Sequence, residues 1–337
     1  MKLLFVFLVL TQAVYGQLVK LPEPVTNNAV VALKKDGQTL FYSFYGLDQT
    51  KKWSGVHNKI MRVDPVKGKA ALIGTLPDTG RLAAGASAIE NKAYIVGGYK
   101  VLPDGKEKSS NHLFIFDPES EKITVGSDLL VPIDDHVQAV WRNQLLYVIS
   151  GWSDSVNVNT VQVYNPRTNQ WQLATSLPDE PGSKVFGGSG LIANDTIYLL
   201  GGATFGKNYP PSRSFYKGMI EVTNPLKITW LKVVDYPGEF RYRSAAWQSS
   251  HFIYFIGGSN ETYNYNGISY ANKNPVEPNQ TILVYDTRTG KFNTLNDTNS
   301  IMDLLGIVTD EKGNVYTLGG MEKGQRVSSK LKLLKIK

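Results

Sequence analysis

The sequence predicts an all-β protein, a six-bladed β-propeller of four-stranded antiparallel blades whose last blade is closed by the N-terminal strand, and three observations carry that prediction. A strand ending in glycine recurs six times, an Asp- or Asn-led turn follows it in five copies, and the strand that the last copy lacks is found at the N-terminus. A chain of 337 residues would by size alone suggest two domains, but a repeat of this period takes precedence over size.

The glycine-ended strands are 40–46, 93–98, 146–151, 197–202, 253–258 and 315–320, with steps of 52, 53, 51, 56 and 62 residues between their final glycines. Each copy reads as four strands by period-2 alternation. In the third, His136 to Trp141, Leu145 to Ile149, Thr160 to Tyr164 and Gln170 to Ala174 alternate, and Arg142-Asn143-Gln144 and Asn165 to Asn169 are the tight turns. Glycine suits the end of a second strand because the chain there crowds the axis, where positive φ or a close backbone approach excludes a Cβ. The turns between third and fourth strands are Asp64-Pro65, Asp117-Pro118, Asn165-Pro166, Asn224-Pro225 and Asp286-Thr287, which suits Asx turns. Trp171, Trp230 and Phe292 on fourth strands are expected to pack between neighbouring blades.

After Gly320 only a third strand, Lys330 to Ile336, remains. Residues 18–24 match the fourth-strand endings at Ile73 to Pro77, Leu173 to Pro178 and Val233 to Pro237, so residues 18–21 should form the outer strand of blade six and remove its free edge. Before them, Met1-Lys2, an apolar run from Leu3 to Leu10 and Val14-Tyr15-Gly16 read as a signal peptide over residues 1–16, leaving the propeller at 17–337. The apolar run is too short to span a bilayer, so the mature chain is expected to be secreted or periplasmic, without a membrane span, and monomeric.

The absence of cysteine means that core packing alone must hold the fold. The formal charge of +7 is scattered in ones and twos rather than gathered in a basic stripe, which argues against nucleic acid as a partner. Sequons stand at Asn194, Asn260, Asn279 and Asn296.

In an up-and-down blade, the loops after the second and fourth strands share one face, and here they are the long ones, so a site is expected on that face near the axis. Residues leading into the inner strands supply Arg81, Asp135, His136, Lys184, Arg241, Arg243 and Asp303, a mixed polar ring suited to an anionic or polyhydroxylated ligand. Asp135, His136 and Asp303 are the catalytic candidates. Arg81, Lys184, Arg241 and Arg243 are the binding candidates, joined by Trp53, Trp152 and Tyr263 from the long loops. The loop from Ser259 to Gln280 is the longest and is the first candidate for a lid or rim. His57 and His136 are the only histidine pair placed to meet, and no metal or other cofactor is expected.

The Tyr-x-x-Gly-Gly strand, the Asp/Asn-Pro turn and the fourth-strand Trp together resemble the kelch repeat, over essentially the whole mature chain. Galactose oxidase has a similar central domain, but its copper-radical site needs a cysteine, so the resemblance implies no such oxidase here. The boxes of secreted sialidases, Ser-x-Asp-x-Gly-x-Thr-Trp, are absent. The resemblance implies a binding or interaction module for a glycan or a protein. As an alternative it implies a sugar isomerase or mutarotase similar to the N-acetylneuraminate epimerases, which would need an acid/base pair and arginines to hold a carboxylate.

Overall fold

The computed structural model describes residues 19–336 and contains six antiparallel sheets arranged as propeller blades. Blade 1 runs Ala29–Lys35, Gln38–Phe44, Lys59–Asp64 and Lys69–Thr75, and blade 3 runs Val137–Trp141, Leu145–Ser153, Val156–Asn165 and Gln170–Leu173. Blades 2, 4 and 5 repeat this four-strand order, with a further short strand following the second strand in blades 2 and 4. The signal peptide inferred for residues 1–16 lies outside the described residues. Among those described, helix is limited to two 3₁₀ turns, and no helix is long and apolar enough to cross a membrane.

The turn chemistry follows the repeat. Asp64, Asp117 and Asp286 each accept bonds from the amides two and three residues on, and Asn165 from that of Arg167. Blade 4 departs from the pattern: its turn is Val222-Thr223, and Asn224-Pro225 instead opens the outer strand Asn224–Lys232. A Cβ at Gly258, at φ +74, would stand 2.7 Å from the Tyr242 carbonyl oxygen, which explains why the second strand ends in glycine.

Aromatic residues fill the spaces between blades as expected. Trp171 packs with Tyr94 and Tyr164 and donates its indole N–H to the Ser127 carbonyl at 2.9 Å. Trp230 does the same to Thr175 at 3.0 Å, and Phe292 joins Phe215 and Tyr236.

Blade 6 has three strands of its own, Val308–Thr309, Val315–Leu318 and Leu331–Leu333. The N-terminal segment supplies the rest: Lys20 pairs antiparallel with Lys330, the Leu21 amide donates to Ser329 at 2.6 Å, and the Leu331 amide to Val19 at 3.0 Å. Leu21 and Val25 are buried in a cluster with Phe41 and Met61 of blade 1 and Leu318 and Leu331 of blade 6, so the clasp is apolar as well as hydrogen-bonded. Of the sequons, Asn194, Asn260 and Asn296 are exposed. Asn279 is not: it is 2% exposed and donates to the Phe240 carbonyl, which closes it to a glycan in the folded state.

Candidate functional site

Each inner strand is approached through a residue of left-handed φ: Asn27, Ala83, Asp135, Gly187, Arg243 and Asp303. Five of the six are not glycine, so neighbouring bonds must hold the turn. The amides of Asp135, Gly187 and Arg243 donate to the carbonyls of Ala83, Asp135 and Gly187 at 3.1, 2.7 and 2.8 Å, and the Leu304 amide donates to Arg243 at 3.0 Å. Asn27 accepts from the Ala83 amide at 2.6 Å, and Asp303 accepts from Thr26 and Asn27 at 2.6 and 3.3 Å. The result is a hydrogen-bonded ring about the propeller axis.

An ion triad crosses this ring. Arg243 forks onto Asp135, Nε to Oδ1 at 2.9 Å and Nη2 to Oδ2 at 2.6 Å, and reaches Asp303 Oδ1 through Nη1 at 3.2 Å. All three side chains are almost fully buried, and the guanidinium lies 5.2 and 5.5 Å from the ring centroids of Tyr242 and Tyr263. Burial raises the Asp303 carboxyl above its ordinary value despite the opposing Arg243.

The ring separates two cavities. The channel on one side, about 350 Å³, is lined by small inner-strand residues such as Ala84, Gly190 and Ala246, with His136, Gln138 and three serines, Ser87, Ser189 and Ser244, as its polar members. Burial pushes His136 down to about 4, so its imidazole is neutral at physiological pH. On the long-loop side is a cavity of about 310 Å³ with aromatic walls, Tyr99, Trp152, Phe186, Tyr209 and Tyr270, over a base holding Asp134, Asp135 and Arg243, with Glu107 and Asp154 at its margin. The walls meet at steep angles: Trp152 stands at 87° to Tyr209, 5.5 Å between centroids, and Tyr209 at 66° to Tyr270, 4.8 Å apart.

Of the residues singled out in the sequence, the structure brings Asp135, Arg243, Asp303 and Trp152 together around this cavity. The others lie elsewhere. His136 follows the left-handed turn at Asp135, just before the strand that begins at Val137, and faces the opposite cavity. Arg81 and Arg241 precede the ring by two residues and turn sideways between blades. Arg81 is 0% exposed, pairs with Asp78 and Gly97 O, and lies over Tyr45 and Phe114, whereas Arg241 bonds Thr281 O and Oγ1 at 2.5 and 2.7 Å. Lys184 pairs with the exposed Asp179 at 2.6 Å. Trp53 sits 44% exposed on the Trp53–Gly55 turn, away from the cavity, and Tyr263 is wholly buried behind Arg243. The mixed ring expected to hold an anion is therefore one arginine held by two aspartates.

The loop from Ser259 to Gln280 is a fixed wall rather than a lid. Thr262 donates to Tyr209 O at 2.7 Å, the Gly324 amide donates to Glu277 at 3.1 Å, and internal bridges join Tyr263 to Ser269 and Ile268 to Pro275. His57 lines neither cavity, and among the described residues no three His, Cys, Asp or Glu side chains gather as a metal site.

Sequence reasoning missed Glu107, Asp134 and Asp154. In blade 2 the second strand continues past its glycines to Val101 and folds back on Glu107–Ser109, pairing Tyr99 with Ser109 and Val101 with Glu107. The Tyr99-x-Val101 alternation beyond Gly98 was the available signal. Ser109 then organises the carboxylates: its hydroxyl donates to Asp134 Oδ2 at 2.6 Å and its amide to Asp154 Oδ1 at 3.0 Å. Burial first, then the adjacent Asp135, holds the Asp134 carboxyl well above the ordinary range. Glu107 is an exposed residue, yet burial of its carboxyl, with Arg243 opposing, pushes it up to about 7.

The chain matches the Kelch motif family model over residues 142–178, the second to fourth strands of blade 3. It is 27% identical to Kelch-like protein 36 of Mus musculus over 110 residues, which are 32% of this chain and 17% of that protein. With Kelch-like protein 25 of Xenopus tropicalis it shares 26% identity over 186 residues, 52% of this chain and 28% of the relative. The matched stretches are thus under a third of these curated relatives' length. The solved structure of YjhT superposes with a TM-score of 0.73 at 15% identity, covering 95% of this chain and 97% of that one, a likeness of fold.

Proposed function

We propose that this chain, a β-propeller carrying the Kelch motif, is a secreted, monomeric binding module that takes a glycan or protein ligand on its long-loop face. The observation that carries this is the cavity of about 310 Å³ on that face, where aromatic walls meet a set of charged and polar side chains. Leader-like residues 1–16 support secretion. A screen of the mature protein against sugars and extracellular proteins tests the reading: Trp152→Ala should abolish the binding of any ligand found, with the fold intact by circular dichroism. A ligand indifferent to Trp152→Ala would place recognition elsewhere.

A sugar isomerase is the second reading, favoured by one observation: Glu107 and Asp134 line the same cavity, and burial raises both carboxyls above their ordinary values, Glu107 to about 7. It lacks support in the arginines, because Arg81 and Arg241 lie between blades and Arg243 is occupied by aspartates. Anomer interconversion followed by NMR decides it; an unchanged rate against buffer removes the isomerase.

A further inference from the structure

We infer that the long-loop cavity recognises an organic cation, an alkylammonium or guanidinium group, and this deepens the proposed binding role, on which it rests. Three features of the cavity lead there. The first is charge: Glu107, Asp134, Asp135 and Asp154 line it, and Arg243 is the only Lys or Arg among the lining residues. That arginine is no free anion receptor, since both faces of its fork are taken by Asp135 and Asp303. An anion entering here would meet surplus carboxylates, whereas a cation would meet a partner.

The second feature is unspent hydrogen-bonding capacity. Tyr99 is 3% exposed and lines the cavity, yet among the described residues its hydroxyl has no hydrogen-bond partner. Asp134 is likewise 3% exposed, and only Ser109 donates to its carboxyl, at Oδ2, leaving Oδ1 without a protein donor. Both oxygens open into the cavity rather than being sealed in the core, and both are placed to receive N–H groups from a ligand. The third is the wall itself: Trp152, Tyr209 and Tyr270 line the cavity at 87° and 66° to one another, and aromatic rings attract a cation over a neutral group of the same size.

The ligand's charge gives the proposal a pH signature. The groups facing the cavity are Glu107 from blade 2, Asp134, Asp135 and Asp154 from the approach and hairpin of blade 3, Arg243 from blade 5 with Asp303 behind it, and the phenols of Tyr99, Tyr209 and Tyr270. A cation favours ionised carboxyls, so it should bind with release of protons and more tightly as the pH rises.

Calorimetric titration of the mature protein with choline, Nα-acetyl-arginine amide and a short arginine-containing peptide, against N-acetylneuraminate and galactose, tests this. The cations should bind and the sugars should not. Glu107→Gln should weaken the cations at least tenfold, and so should lowering the pH from 8 to 5. Tighter binding of the peptide than of acetyl-arginine amide identifies a basic protein segment as the source, and equal or better binding of choline identifies a free amine. If Trp152→Ala abolishes binding of a neutral or acidic sugar while no cation binds, the inference falls and the binding module stands. If nothing in the wider screen responds to Trp152→Ala or to the milder Trp152→Phe, both fall.

Discussion

Arg243 is the residue whose role the structure changes most. A binding arginine at a channel mouth could be removed without unfolding the protein, but this one neutralises two carboxylates that are themselves buried. Arg243→Ala should cost about 3 to 5 kcal/mol and lower the thermal midpoint by roughly 10 °C, read by calorimetry. Arg243→Lys should not restore it, since a point charge cannot fork onto Asp135. Why the sequence could not separate Arg243 from Arg81 and Arg241 is a matter of two residues. All three lead into inner strands, but a shift of two along the approach exchanges the axis for the space between blades, where the Gly97 and Gly257 carbonyls wait. Glu107 was hidden differently: inside Lys106-Glu107-Lys108 it has the look of a solvated charge run, and only the hairpin register turns it toward the cavity.

At the scale of the element, the repeat made the strands and turns legible because each signal has a local cause: alternation, the Asx turn, the glycine under a facing carbonyl. The short upper strands of the last blade, Ile301–Met302, Met321–Glu322 and Arg326–Val327, had no such signature, for they are held by a charge cluster. Burial works to raise the Glu322 carboxyl, yet bonds from Lys332, Arg326 and Lys330 lower it to about 2. A carboxyl depressed from 4.5 contributes stability above that pH and loses it as the pH falls through its folded value. Glu322→Gln should therefore lower stability at pH 7 by about 1 to 3 kcal/mol, and the gap between variant and parent should narrow from pH 4.5 downward and vanish near 2 in acid titrations followed by circular dichroism. A gap constant with pH would detach this cluster from blade 6 stability.

For the whole molecule, the decisive join is between the two ends. Deleting residues 17–24 would remove Leu21 and the bonds to Ser329 and Leu331, opening an apolar seam between blades 1 and 6. The thermal midpoint should fall sharply, and an unchanged melting curve would show that the ring is held without the clasp. The same join sets an order of events. Lys20 leaves the ribosome well before Lys330, so the first blade is made while the strand bound for the sixth has nothing to pair with. Contacts of such sequence separation are slow to form, and an apolar strand kept waiting is open to a second copy of the chain. During synthesis the exposed partner is Leu21, and dimers exchanging N-terminal strands are the misassembly this topology invites.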